Sequence, residues 1–286
     1  MGQPVCGEES VCGEESVCGE ESLRREEPLR RQEVVPEGER RQSGRMPAVP
    51  RPAPLDAVAA ADLAAMREAA AELQECRRVL TKAGLDVVSE VLRGQGDFVE
   101  YEHYPHDDVF DADSHAQYYY HAHRGGAREH GHFHTFLRAP GMPPGTAPVE
   151  NTGTEPWPQG DAALSHLVAI SMDAWGEPLA LFAVNRWVTG DAWYRAGDVV
   201  AMLDRFGIDH AWPSWPVNRW ITAMLRLFRP EIETLLRHRD RVVELWAQAH
   251  PGCDVFEDRR LEVTGSLPVS IEGRIRALDR LRARSA

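Results

Sequence analysis

The chain has 286 residues, an apolar fraction of 43% and a formal net charge of −13 at pH 7. This charge argues against a nucleic-acid partner, whose phosphates require a basic surface, and against binding to anionic membranes. No apolar run is long enough to span a bilayer, and the acidic N-terminus does not resemble a signal peptide. The five cysteines do not suggest a secreted disulfide framework. We therefore expect a cytoplasmic protein that binds neither nucleic acid nor membranes, and a small-molecule substrate stays open as a possible partner.

Residues 1–54 are predicted to form a disordered tail that ends in a proline-rich linker. Residues 5–22 hold three copies of the unit Val-Cys-Gly-Glu-Glu-Ser, and the arginine- and glutamate-rich stretch that follows is equally poor in apolar side chains. The cysteines of the repeats lie six residues apart, which is wider than the spacing typical of zinc knuckles. Met46 offers an alternative translation start just before the prolines of the linker. Residues 55–286 are expected to form one α+β domain.

Helices are predicted at both ends of this domain. Asp56 is a suitable N-cap, and apolar residues from Leu63 to Leu80 recur at helical spacing before Gly84 ends the pattern. A shorter helix is predicted from Leu85 to Leu92. The C-terminal part has four predicted helices, over residues 198–206, 217–228, 230–250 and 270–284, and a short strand at 261–264.

Two β-hairpins are predicted between these groups of helices. The first pairs Ala116–Arg124 with His130–Arg138, and Gly125-Gly126 suits a two-residue turn between them. The second pairs Leu164–Met172 with Leu179–Val188. The predicted fold class is therefore α+β, with an antiparallel sheet of two hairpins flanked by N- and C-terminal helices.

The segment that leads into the first hairpin has a weaker pattern. Residues 98–104 alternate weakly and predict a strand or an extended entry. Pro105 is expected to interrupt strand pairing, and the aspartates of residues 107–113 are expected to form an acidic turn.

Histidine is concentrated in the first hairpin to a degree that packing alone does not require. Eight of the twelve histidines lie between His103 and His134, and five of the six tyrosines lie between Tyr101 and Tyr120. Because side chains alternate between the two faces of a strand, His121 and His123 share one face, and His130, His132 and His134 share one face of the next strand.

The length of the turn decides whether these two faces coincide. An even-length turn at Gly125-Gly126 sets His121 opposite His130 and places all five histidines on one surface. An odd-length turn sets His123 opposite Glu129, and His121, His123 and Glu129 then resemble the two-histidine, one-carboxylate triad of non-haem iron sites. We favour the even turn, because Gly-Gly suits two-residue hairpin turns.

The hairpin is interpreted as a site for a divalent metal, either iron or zinc. Glu129 is a candidate ligand or general base, and Tyr119 is a candidate outer-shell hydrogen-bond partner. His166 becomes a further ligand candidate if the two hairpins join. The predicted pool of metal ligands is His121, His123, His130, His132, His134 and His166.

Three residues outside the first hairpin are candidates for binding a substrate. Asn185 is expected opposite His166, and Arg186 and Arg219 recur in two similar Asn-Arg-Trp segments. The planar guanidinium group suits an anionic substrate, although salt bridges to the many carboxylates are the more ordinary use of arginine.

The run Tyr118-Tyr-Tyr-His-Ala-His-Arg124, followed by Glu129-His-Gly-His-Phe-His134, resembles an uncharacterised bacterial family known only as a domain of unknown function. Asn185-Arg-Trp187 and Trp212-Pro-Ser-Trp215 extend the resemblance, which covers about residues 55–263. The resemblance implies one coherent domain and carries no catalytic role to these residues.

Three functions remain open from the sequence. The first is a non-haem iron or zinc enzyme that acts on a small molecule, by oxidation or by hydrolysis. The second is a non-catalytic metal-handling protein, in which protein ligands fill every coordination position. The third is a metal-free interaction domain whose histidines and tyrosines form a structural polar layer.

Overall fold

A computed structural model of the chain describes residues 47–123 and 128–285. The predicted tail up to residue 46, with the alternative start at Met46, and the predicted turn at Gly125-Gly126 lie outside the described residues. No helix in the described part of the chain is both long and apolar enough to cross a membrane.

A six-stranded antiparallel sheet forms the centre of the described part of the chain, and it confirms the predicted α+β class. Each strand pairs with the next strand in the chain, so the order across the sheet is β1-β2-β3-β4-β5-β6. The two predicted hairpins join through the pairing of β3 with β4. The strands are β1 Tyr104–Phe110, β2 Ala116–His121, β3 Gly131–Arg138, β4 Leu164–Met172, β5 Pro178–Val184 and β6 Val263–Pro268.

Helices precede the sheet and fill most of the chain between β5 and β6. The first long helix buries one apolar stripe that includes Met66, Leu73 and Leu80, as its helical spacing predicts. Cys76 lies on the same buried stripe. The helices are α1 Ala60–Lys82, α2 Val87–Leu92, α3 Arg186–Thr189, α4 Ala196–Met202, α5 Trp215–Leu227, α6 Arg229–Ala249 and α7 Ile271–Ser285.

The two faces of the sheet differ in chemistry. On one face, Tyr118, Tyr120 and Phe133 are fully buried and belong to the main hydrophobic core, which includes side chains of α1, α2, α4, α5 and α6. On the other face, a smaller apolar cluster of Ala169, Phe182, Val184 and Val188 borders polar side chains. Strand alternation therefore separates an apolar face from a polar one.

The prediction for the first strand was wrong. The strand lies at Tyr104–Phe110 rather than at residues 98–104, so Asp107 and Asp108 are strand residues and not part of an acidic turn. The expected interruption at Pro105 is present, since the register of β1 on β2 shifts between Tyr104 and Val109, and an edge strand such as β1 tolerates a proline. Asp111 does form the expected turn, since its side chain accepts hydrogen bonds from the backbone N–H groups of Asp113 and Ser114.

Gly131 begins β3 at a point where no side chain fits. A Cβ atom there would lie 2.6 Å from the backbone oxygen of His121 and 2.6 Å from the hydroxyl of Tyr120. We expect Gly131→Ala to lower the free energy of unfolding by about 1–3 kcal/mol, because the neighbouring strand must shift. Urea denaturation followed by circular dichroism measures this change.

Gly197 provides the matched control. It lies within α4, and a Cβ atom there would meet nothing within 4 Å. Gly197→Ala should stabilise the protein by about 0.5–1 kcal/mol, because alanine loses less backbone entropy in a helix. Equal destabilisation by both substitutions would contradict the close approach at Gly131.

Candidate metal centre

The register of β2 on β3 places histidines of both strands on one face. His121 lies opposite His132, and Tyr119 lies opposite His134. His121, His132 and His134 therefore lie on the same face of the sheet, as the even-length turn predicted. The predicted common face is confirmed for these three histidines. The register differs from the predicted one by two residues, because His121 was expected opposite His130.

Three histidines of this hairpin converge. Each of His121, His123 and His132 offers a ring nitrogen, and these nitrogens lie within 4.8 Å of one another. The ring centroids are 4.6 Å apart for His121 and His132, and 5.1 Å apart for His123 and His132. Within residues 47–123 and 128–285, no other group of three His, Cys, Asp or Glu side chains meets this condition. The three histidines can therefore hold a metal ion.

Glu129 supports this group from outside. Its Oε1 accepts a hydrogen bond from Nδ1 of His132 at 2.7 Å, and its Oε2 accepts one from the hydroxyl of Ser171 at 2.7 Å. Ser171 lies opposite His132 on β4, so Glu129 bridges two adjacent strands. Because Nδ1 of His132 is engaged, a metal ion would take its Nε2. This arrangement of carboxylate, histidine and metal is common in metal sites, where it fixes the orientation of the ligand ring.

His134 lies beside the three converging histidines, and His166 contacts His134. The ring of His134 lies 5.0 Å from that of His132 and 5.1 Å from that of His121. Its Nδ1 shares a hydrogen bond of 2.9 Å with Nε2 of His166. Its Nε2 is buried and makes no hydrogen bond to any described residue. His166 thus contacts the cluster through His134, since β3 and β4 pair.

Burial keeps these two rings neutral. Desolvation, with the neighbouring histidines as a smaller cause, holds the pKa of His134 well below its usual value. Desolvation also lowers the pKa of His166 to about 3, and Arg239 adds to the shift. Asp191 accepts a hydrogen bond from the backbone N–H of His166 and fixes its strand position. Neutral imidazole is the form that binds a metal.

The predicted placement of His130 is wrong. His130 precedes β3, and its Nδ1 lies 2.7 Å from the hydroxyl of Tyr120, which belongs to the apolar face. Its ring stacks on Phe98 with centroids 5.0 Å apart. The backbone therefore turns between His130 and His132, and His130 lies on the opposite side from the three converging histidines.

Tyr119 contacts the histidines through its ring. The ring lies 5.1 Å from that of His121 and 5.2 Å from that of His134. Burial raises the pKa of its hydroxyl, and the charges of Asp108 and Asp191 raise it further. The hydroxyl therefore keeps its proton, which suits a hydrogen-bond donor. The predicted role of Tyr119 as a hydrogen-bond partner of the site stays a prediction.

His103 was not predicted, and it lies next to the group. Its ring stacks on Tyr119 with centroids 3.6 Å apart and meets the ring of His121 edge-on at 5.5 Å. Its Nδ1 is held by Asp108 at 3.0 Å, and the other oxygen of Asp108 accepts a hydrogen bond from Gln117. The contact was not predicted, because Asp108 was expected in a turn rather than in β1.

An apolar wall borders the histidines on the side of β5. The ring of Phe182 lies 5.2 Å from that of His132 and 6.0 Å from that of His134. Val188 and the partly buried Trp187 of α3 pack on the same cluster. At the other end of the group, His123 is partly exposed and stacks on the exposed Tyr101. The group is therefore enclosed by apolar atoms at one end and reaches the surface at the other.

The three predicted substrate-binding residues have structural partners. Asn185 is fully buried, caps α3, and donates a hydrogen bond to the carbonyl of Val255 at 2.7 Å. Arg186 pairs with Glu257, and Arg219 pairs with Glu72 at 2.9 Å. The register of β4 on β5, with Ala169 opposite Phe182, is the one in which Asn185 was expected opposite His166, although Asn185 lies just beyond the end of β5. A role for these three residues in substrate binding stays a prediction.

The fold and the site together define an α+β protein whose central sheet has a histidine-lined face that can hold a metal ion. The model of a family described as a domain of unknown function, DUF6969, matches residues 67–269. The chain belongs to this family, which confirms the resemblance seen in the sequence. No curated protein and no solved structure matches the chain.

Proposed function

We propose that the protein binds one divalent metal ion, zinc or iron, through His121, His123 and His132, and uses it to act on a small molecule. The observation that carries the proposal is the hydrogen bond between Glu129 and Nδ1 of His132. A carboxylate in this position fixes the tautomer of the ring, so that Nε2 has the lone pair that a metal requires.

The ligand set favours an open coordination position. Structural zinc sites have four protein ligands, whereas catalytic sites have three and leave one position for water or substrate. Both carboxylate oxygens of Glu129 accept hydrogen bonds, one from His132 and one from Ser171. This supports a role for Glu129 in orienting a metal ligand, rather than the predicted role as a ligand itself. Bound zinc supplies a water that ionises near neutral pH, and bound iron supplies oxygen chemistry.

The surroundings of the site suit such chemistry. Phe182 and the apolar residues beside it limit access of water from the side of β5. His123 is the partly exposed member of the group, so a small molecule would reach the metal from its side. Because burial raises the pKa of Tyr119, its hydroxyl keeps its proton, and its role in the proposal is to donate a hydrogen bond in the site.

A second candidate function rests on His134. Its buried Nε2 makes no hydrogen bond to a described residue, and its ring lies about as close to His121 as the other ligand rings do. If this nitrogen completes the coordination, four histidines close the site and the protein handles metal without catalysis. The substitution His134→Gln separates the two candidates, because only the closed site needs this ring as a ligand.

The first test is the metal content of the full chain, purified with a tag that contains no histidine. We expect about one zinc or iron ion per chain in the wild type and a loss of most of it in His132→Gln, because a site held by three ligands loses much of its affinity with one of them. Inductively coupled plasma mass spectrometry measures the metal. In the catalytic version of the proposal, His134→Gln retains the metal.

His130→Gln is the matched control, because His130 lies two residues from His132 and on the opposite side of the strand. A background variant with serine at Cys6, Cys12 and Cys18 removes the thiols of the N-terminal repeats. Thermal unfolding of each variant shows that it is folded. Equal metal content in His132→Gln and His130→Gln, or no metal after reconstitution with zinc and ferrous iron, would overturn the proposal.

The second test concerns the outer carboxylate. Glu129→Gln should weaken metal binding by about 10- to 100-fold, which is the usual effect of losing an outer-shell partner. Titration against a competing chelator measures the affinity. Glu102→Gln, which removes a nearby exposed carboxylate, should leave the affinity unchanged. If Glu129→Gln binds the metal as tightly as the wild type, Glu129 has no part in the site.

A further inference from the structure

A cavity separate from the histidines lies between α1, α7 and the turn that connects β4 to β5. Its volume is about 680 Å³. This size lies within the range of small-molecule sites, which are concave and mostly apolar with a few polar groups. None of the residues that line it belongs to the proposed metal site.

The inner surface of the cavity is apolar. Leu73 and Leu80 of α1 and Trp220 of α5 line it, and each is almost completely buried in the main core. Ile271 and Ile275 of α7 form a partly exposed wall. An apolar ligand in this space would contact the buried side chains and would remove the exposed parts of Ile271 and Ile275 from water, which contributes to affinity.

The wall formed by the β4–β5 turn is fixed in place. Gly176 has a φ of +75°, and a Cβ atom there would lie 2.8 Å from the Cβ atom of Asp86. Asp86 is the N-cap of α2 and accepts hydrogen bonds from the N–H groups of Val88 and Ser89. The close packing of the turn on this cap means that the cavity exists before a ligand binds.

Among the charged side chains that line the cavity, one cation forms no ion pair within the described residues. Arg77 pairs with Glu177 at 2.5 Å, and Arg78 pairs with Glu75. Lys82 also lines the cavity, and it forms no ion pair within the described part of the chain. It is the chain's only lysine. An anionic group on a ligand would therefore pair with Lys82 without breaking an existing ion pair.

We propose that this cavity binds an amphipathic carboxylate, a molecule with an alkyl or aryl body and one carboxylate group. The body would occupy the apolar space against Leu73, Leu80 and Trp220, and the carboxylate would pair with Lys82. Trp175 lies at the rim and is 80% exposed, and the bound body would cover part of its ring. The apolar lining, the packed turn and the cation that forms no ion pair together favour this class of ligand.

Isothermal titration of the full chain with decanoate tests the proposal. We expect one saturable site, and Lys82→Gln should weaken binding of decanoate by about threefold to fivefold, since the lost ion pair lies at the surface. Decanol has the same alkyl body without the charge. It should bind to the wild type more weakly than decanoate does. To Lys82→Gln, decanol and decanoate should bind with equal affinity. Lys82 is exposed, so its replacement leaves the fold intact.

Arg195→Gln is the matched control, because Arg195 is an exposed cation far from the cavity in sequence and does not line it. It should leave decanoate binding unchanged. Acetylation of Lys82, followed by mass spectrometry, should slow in the presence of decanoate. The proposal is wrong if decanoate shows no saturable binding, or if Lys82→Gln binds it as tightly as the wild type. Metal content is measured on the same samples, so failure of either proposal is seen separately.

Discussion

The register of β2 on β3 is the constraint on which the rest of the structure depends. Tyr120 lies opposite Phe133 in the core, with ring centroids 4.8 Å apart, and the hydroxyl of Tyr118 donates a hydrogen bond to the buried Asn218. A slip of one residue would move these aromatic rings to the other face and bring the histidines into the core. Burial of the aromatic rings therefore fixes where the histidines lie, whatever they bind.

The buried histidines are tolerated because their hydrogen bonds offset part of the cost of leaving water. A polar group that is buried without a partner costs free energy, and a charged one costs more. His132 has Glu129, and His134 has His166. The low pKa values of His134 and His166 mean that neither ring carries a charge into the interior near neutral pH. The cluster is thus compatible with a stable fold before any ion is considered.

The sequence predicted the hairpins and the shared histidine face well, because strand alternation depends only on local order. The register of β2 on β3 has the parity that the preferred even-length turn predicted, with His121 opposite His132. The predicted position of His130 was wrong, because the chain turns before β3 begins and places this side chain on the apolar face. Two features depend on long-range contacts that periodicity does not encode: the bridge from Glu129 to Ser171 and the stacking of His103 on Tyr119. The partners of Arg186 and Arg219 are likewise distant in sequence, and composition indicates only that carboxylates are plentiful.

The order of the strands has a consequence for how the chain assembles as it is synthesised. Strands β1 to β5 pair with their neighbours in sequence, so their contacts are local and can form early. Strand β6 joins the edge of β5 only after α3, α4, α5 and α6 have been made. Until then β5 is an apolar strand with one unpaired edge, which is the kind of surface that promotes association between incomplete chains. The interval between Val184 and Val263 is therefore a stage of synthesis at which this edge is open to misassembly.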